Sequence, residues 1–420
     1  MLAKLRNKIY QILRWSEKYT KTDMVYLSKG GFWLNLNTLG SSLLALILSI
    51  LFANFLSKEN YGNYQFLISL STIIGTLTLT GINIAVTQSV AKGSDQVFKQ
   101  AIREQIKFLF IPFLFSLLLF VYYFYFLNNT LSISLGILII GLLIPLNNTL
   151  NTWVAFLQGK KDFKNIFLNN QFINFIYYLG MILGVVFIKN ITLLISINFL
   201  LLVFSNLIIY IRLTKKYQFN QNRDDEAIKY GKKLSLSNIL PLVAFSVPSL
   251  AIFYFQGAAA LAIYSFAANI PERIINLFKP AITMALPKLS EKESTGNQTK
   301  NIFQKTIQLL IFSLAIGLLY IFAAPFIFKV FFPQYLESIV YSQIYILSAV
   351  IYLAGNLPIT SLFATRSNKI FIFNIANPAF TILITIGLIY FYGIWGAILG
   401  KMISNIFSLT LSYNLKKRDL

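Results

Sequence analysis

The sequence predicts an all-α, polytopic membrane protein: about twelve transmembrane helices in two pseudo-symmetric six-helix lobes around a central cavity. Three observations predict it. Apolar types fill 56% of the 420 positions and charged types only 12%, about half the charged share of an ordinary soluble domain. Apolar windows of about 20 residues, the length that crosses a bilayer as a helix, recur twelve times along the chain. The 36 Lys and Arg outnumber the 14 Asp and Glu, and they crowd into alternate loops as the positive-inside rule requires. The net charge of +22 therefore reads as topology, and no nucleic-acid partner is expected. With no cysteine and no histidine, disulfides, thiol chemistry, histidine relays and zinc sites are excluded. The sequence predicts no catalytic group, no metal and no cofactor.

Residues 1–30 place Leu2, Leu5, Ile9 and Ile12 at helical spacing against Lys4, Lys8 and Arg14, which predicts an amphipathic segment on the cytoplasmic interface rather than a cleaved signal. The first span, 31–56, carries Asn35, Thr38 and Ser42 on one stripe and holds no Asp or Glu. A polar turn at 57–63 leads into the second span, 64–88. The third and fourth spans are 108–127 and 131–157; Pro145 with Asn147, Asn148 and Asn151 predicts a kink whose freed backbone groups need polar partners or water. Spans 166–188 and 191–211 complete an N-terminal lobe of 31–213. A cytoplasmic linker, 214–233, contains Arg223, Asp224, Asp225 and Glu226. The C-terminal lobe, 234–415, has spans at 234–255, 264–288, 307–330, 339–364, 370–392 and 394–415, and a basic tail follows at 416–420. An even number of spans puts both termini on one side. The loops there carry Lys92, Lys99, Arg103, Lys107, Lys160, Lys161, Lys164, Arg366 and Lys369, against Lys58, Lys189 and Lys329 on the other side, so both termini are expected in the cytoplasm of a bacterial inner membrane.

The lobes read as copies. A shift of 200 residues pairs Phe55 with Phe255, Tyr64 with Tyr264, Phe66 with Phe266, Ile74 with Ile274, Leu77 with Leu277, Ile82 with Ile282 and Ala85 with Ala285. Each copy has six spans, so the repeat is parallel and its axis lies along the membrane normal.

The repeat sets the depth of the charges. At about 1.5 Å per residue, Arg273 lies roughly 14 Å inside the span, where an unpaired Arg costs at least about 2.5 kcal/mol. Asn269, Glu272, Asn276, Lys279 and Thr283 follow at spacings of three and four, one polar face on one helix. Two readings stay open: Glu272 pairs with Arg273 or with Arg366 to hold helices together, or Arg273 and Lys279 line a cavity for an anionic group with Glu272 modulating them. Lys401, about 10 Å inside the exterior edge, shares a face with Ser404, Asn405, Ser408 and Ser412. It either faces the lumen or snorkels to the surface. The candidate substrate-binding residues are Arg273, Lys279, Lys401, Glu272, Asn276, Asn269 and Asn35.

Five short stretches carry a resemblance. Leu56 to Tyr64 reads LSKENYGNY and Gly81 to Ala85 reads GINIA; QGKKDF begins at Gln158, ALPKLSE at Ala285 and YGIWGAI at Tyr392. The chain resembles, over about 31–415, the bacterial oligosaccharide and polysaccharide flippases (Wzx-like polysaccharide biosynthesis proteins) of the multidrug/oligosaccharidyl-lipid/polysaccharide (MOP) exporter superfamily. The resemblance implies alternating access of two lobes without ATP hydrolysis. Its implied substrate is an undecaprenyl-pyrophosphate-linked oligosaccharide for O-antigen, capsule or exopolysaccharide, with the lipid bilayer and a polysaccharide polymerase as partners. A cation-coupled multidrug exporter of the same superfamily is the alternative, but its cavity wants acidic groups and only Glu272 is offered. A polymerase or ligase would carry a large exterior loop, and a lipid II flippase two more helices.

Overall fold

The computed structural model describes residues 14, 24–126, 131–220, 222, 224–283, 298–364 and 369–417. Side chains at 24–37, 126, 278–283, 298–303, 305, 357, 360–364, 371 and 416–417 lie outside the description. So do most of the N-terminal amphipathic segment, Arg223, Arg366, the ALPKLSE stretch and the end of the basic tail.

Helix α1 (Met24–Phe55) is a long apolar rod that stops where Ser57 takes an extended backbone and accepts the Asn60 N–H at 3.2 Å, an N-cap. That cap starts α2 (Lys58–Thr76) at once, so most of the polar stretch expected as a turn is the first two turns of a helix. The chain breaks at Leu77–Gly81, where Leu79 adopts φ 55°, and resumes as α3 (Ile82–Ala91). Helix α4 (Gln96–Lys107) follows. Its apolar side, Val97, Phe98, Ala101 and Ile102, is buried, with Phe98 stacked on Phe219 at 5.6 Å. The loop expected between the second and third spans is thus a helix laid along the bundle.

Helix α5 (Phe110–Val121) runs on through a wide π turn at Tyr122–Phe126. Helix α6 (Leu131–Leu150) carries Pro145 without ending there, and α7 (Trp153–Gly159) follows. Two of the asparagines that follow Pro145 have side-chain partners. Asn148 Nδ2 donates to Thr78 Oγ1 at 2.9 Å, while Asn147 Oδ1 accepts from Asn206, whose own Oδ1 accepts the Trp153 indole N–H at 2.7 Å. Helices α8 (Phe163–Phe187) and α9 (Ile191–Lys216) begin at capping Asp162 and Asn190.

Helix α10 (Asp225–Thr283) is two helices joined at Gly257, whose φ of 84° admits no ordinary side chain. The break falls 200 residues after the Ser57 turn, in the register of the sequence repeat. Helices α11 (Gln298–Phe331), a short 3-10 turn (Pro333–Tyr335), α12 (Ser338–Ala364) and α13 (Lys369–Lys417) complete the chain. Helix α13 folds back at Gly393, φ 57°.

Among the described residues, nine helical stretches are long and apolar enough to cross a membrane. Two of them, Asp225–Leu277 and Ile372–Leu415, each double back, and α2 with α3 makes one further crossing. The expected twelve spans are thereby accounted for. Large apolar side chains stand outward, Phe322 at 82% exposure, Phe187 at 78% and Leu383 at 75%, as a lipid-facing surface demands. This is a multi-pass membrane protein.

One end of the bundle, with Lys92, Lys160, Lys161 and Lys216 in its turns, is called the basic end. The opposite end holds the turns at Ser57, Gly257, Pro333 and Gly393. There α2 meets the second arm of α10 backbone to backbone: a Cβ on Gly62 would lie 1.8 Å from the Ala258 carbonyl oxygen. Tyr61 packs on Phe266 with centroids 4.6 Å apart, and Phe266 on Tyr335 at 4.0 Å. Lys58 forms an ion pair with Glu337. The first and second halves of the chain are closed against each other at this end.

Candidate functional site

Below that closure a cavity of about 370 Å³ lies between the halves, lined from α2, both arms of α10 and α13. Helix α2 contributes Gln65, Ser69 and Thr72, a polar stripe at the spacing of one helix face. The first arm of α10 contributes Ser246 and Ser249, and the second arm Asn269, Glu272, Arg273 and Asn276. Pro271 sits inside that second arm. It has no N–H to give the Ala267 carbonyl, so the backbone is loosened one residue before the charged pair.

Glu272 and Arg273 are neighbours that point to different partners. The Glu272 carboxylate accepts from Lys401 Nζ at 2.8 Å and from the Tyr345 hydroxyl at 2.6 Å. Lys401 also donates to the Tyr345 oxygen and lies 4.6 Å over that ring. Of the two positions open to Lys401, the structure shows the inward one. A sealed ion pair in a low-dielectric interior is costly to maintain; this one faces a polar cavity instead, with side chains 25% and 39% exposed.

Arg273 reaches across to the first half of the chain. Its Nε donates to Asn269 Oδ1 at 2.7 Å, and its two terminal nitrogens donate to the backbone carbonyls of Ser42 and Ala45 at 3.1 and 2.8 Å. Arg273, one of the two partners considered for Glu272 from the sequence, points elsewhere; the other, Arg366, lies outside the described residues. A guanidinium has five N–H donors, and three are used on protein, so donors remain for a ligand. Among the described residues the cavity thus presents two cations and one carboxylate.

Of the seven residues singled out from sequence, Asn269, Glu272, Arg273, Asn276 and Lys401 line this cavity. Asn35 and Lys279 lie in α1 and α10, but their side chains are outside the description. Tyr345, Gln65 and Tyr61 were missed. A tyrosine in an apolar span is ordinary packing material, and only its distance from Glu272 identifies Tyr345. Among the described residues, no cluster of three or more His, Cys, Asp or Glu could hold a metal ion.

A family model described as "Polysaccharide biosynthesis protein" matches residues 27–293. The chain belongs to the polysaccharide biosynthesis protein family. That match covers the first half from position 27 onward and the α10 arm that carries Arg273. Among solved structures, the lipid II flippase MurJ in an inward closed conformation aligns with a TM-score of 0.70 at 14% identity, covering 91% of this chain and 87% of its own. The MATE multidrug transporter DinF-BH in complex with R6G aligns at 0.68 and 15% identity, covering 94% and 95%. An inward-facing multidrug resistance MATE family transporter of the MOP superfamily aligns at 0.65 and 14%, covering 92% and 98%. At such identities the shared property is the fold, that of MOP-superfamily transporters. No curated protein matches the chain. The family is thus that of polysaccharide biosynthesis proteins, and the fold is one shared with the lipid II flippase and the MATE transporters.

Proposed function

We propose that the protein is a flippase. It moves undecaprenyl-pyrophosphate-linked oligosaccharide repeat units from the cytoplasmic to the exterior leaflet of the bacterial cytoplasmic membrane, by alternating access, for surface polysaccharide. The observation that carries this reading is the pairing of Arg273 and Lys401 against one carboxylate in a polar cavity between the two halves. Two cations at membrane depth are expensive unless a ligand or partner uses them. A pyrophosphate does so, because guanidinium and phosphate match in charge and hydrogen-bond geometry. The basic end faces the cytoplasm on this reading, with both termini there, and the closed end faces the exterior.

The lobes are 31–213 and 234–415, joined by 214–233. The sequence of events then follows from the geometry. Substrate enters from the basic end, its pyrophosphate draws Arg273 off the α1 carbonyls and competes with Glu272 for Lys401, and the closure at Gly62 and Ala258 opens. A cationic drug would want a free acid in this cavity, whereas the Glu272 carboxylate is held by Lys401 and Tyr345. That geometry ranks the multidrug exporter second.

The deciding experiment deletes the gene in the native host, extracts lipid-linked oligosaccharides and assays their sidedness in membrane vesicles. Complete repeat units trapped on the cytoplasmic leaflet, with surface polysaccharide lost, support the flippase. Unchanged lipid-linked sugars with altered sensitivity to cationic dyes support the exporter. Arg273→Ala should abolish complementation while still reaching the membrane folded, and Arg273→Lys should restore part of it. Normal export by Arg273→Ala would remove Arg273 from the substrate site.

A further inference from the structure

Beside the charged cavity, on its first-half side, lies a second chamber of about 220 Å³. The two share a wall: Tyr61, Gln65, Ile68, Asn269 and Arg273 line both. We propose that this second chamber is a saccharide subsite, holding the sugar ring next to the pyrophosphate. The inference rests on the flippase reading and deepens it.

The wall chemistry is that of a carbohydrate binder rather than of a packing defect. Tyr61, Tyr64, Tyr177 and Tyr178 surround the chamber, giving apolar ring faces that end in polar groups. Its one charged residue is Arg273, on the shared wall, so it holds no carboxylate to pair with a cation and nothing that repels a neutral polyol. The hydrogen-bonding capacity is arranged to leave acceptors and donors over. The hydroxyls of Tyr64 and Tyr177 both donate to Asn198 Oδ1, at 3.0 and 2.7 Å, which holds the two rings in place as walls of the chamber. Gln65 spends an N–H on Tyr61 at 2.7 Å, which leaves its carbonyl oxygen. Asn269 accepts from Arg273 through Oδ1, which leaves its amide N–H groups. A sugar hydroxyl, donor and acceptor at once, satisfies such a set where a phosphate, which only accepts, does not.

Size and position agree. The volume is below the roughly 300 Å³ where drug-sized pockets begin, so it takes one ring while the rest of the oligosaccharide stays in the larger cavity. A phosphate at Arg273 carries its first sugar covalently attached, within reach of this wall. Nothing in the sequence pointed here, because the four tyrosines come from two helices more than a hundred positions apart.

The test uses purified full-length protein in lipid nanodiscs and two probes: the lipid-linked oligosaccharide fraction extracted from the native host, and undecaprenyl pyrophosphate without sugar. Tyr177→Ala is expected to weaken the oligosaccharide-bearing lipid about tenfold, the scale on which loss of one buried aromatic wall registers, and to leave undecaprenyl pyrophosphate unchanged. Tyr177→Phe, which keeps the ring, should fall between wild type and Tyr177→Ala. Tyr178→Ala, at a residue that lines the second chamber and not the charged cavity, gives the same split by an independent side chain if Tyr177→Ala fails to fold. Equal loss for both probes, or no loss for either, overturns the subsite while the flippase stands. Failure of the wild type to bind either probe removes the flippase reading, and the subsite with it.

Discussion

At the scale of single residues, the site turns on how three charges and one phenol share their bonds. Glu272 is the brake on Lys401, so the two predict opposite outcomes. Glu272→Gln frees Lys401 and should bind undecaprenyl pyrophosphate more tightly, with slower export. Lys401→Met removes a charge-assisted bond worth about 1.5–3 kcal/mol and should weaken that binding by about tenfold or more. Binding isotherms on the purified variants check both, and tighter binding by Lys401→Met would sink the assignment. Removing one partner of a sealed ion pair costs about 3–5 kcal/mol; here the cavity supplies solvent, so both variants are expected to reach the membrane. These three charges were legible in the sequence because an ionisable residue in an apolar span is conspicuous on its own. Their pairing was not. Glu272 was weighed against Arg273 and Arg366, and among the described residues it pairs with Lys401, 129 positions away, a contact that only tertiary packing can specify.

At the scale of elements, α4 and the start of α10 form a polar latch at the basic end. Lys232 on α10 donates to Glu104 on α4 at 2.6 Å, and Lys107 donates to the same carboxylate at 2.7 Å. Those bonds from Lys107 and Lys232 hold the Glu104 carboxyl below its ordinary range against the opposing pull of partial burial. A lowered carboxylate stabilises the fold fully above its unfolded value, about 4.3 for Glu, and that contribution is lost as pH falls through the folded value. Thermal unfolding followed from pH 6 down to pH 3 should therefore show a loss of stability that Glu104→Gln makes shallower. At the other end, Gly62→Val drives a side chain into the Ala258 backbone. It should loosen that closure, seen as increased labelling of a thiol placed at position 61 or 265. The helices themselves were legible from apolar length, but their joints were less so. Ser57 caps a helix where a longer turn was expected, and α4 hid as a charged loop because its apolar stripe is only four buried residues wide.

At the scale of the whole molecule, the two halves meet across α2 and α10, and the alternating access proposed above would require that meeting to be broken and remade. The absence of cysteine makes this directly testable without a background to remove. Lys58→Cys with Glu337→Cys, joined by a short bifunctional thiol reagent, should hold the closed end shut and stop export. Cleaving the linker should restore it, and export by the fully cross-linked protein would exclude opening at this place. The repeat that relates the halves was legible as a 200-residue shift, and the breaks at Ser57 and Gly257 fall in its register. The cavity was not, since it is defined by what two arms of α10 leave unfilled. One contact across the halves has a property of a different kind. Arg273 holds α1 by the carbonyls of Ser42 and Ala45, which every residue type supplies. The first half can therefore change its side chains at both positions and remain a docking rail for the guanidinium. A side-chain scan of α1 would pass over this contact and find nothing, although it joins the two halves of the protein.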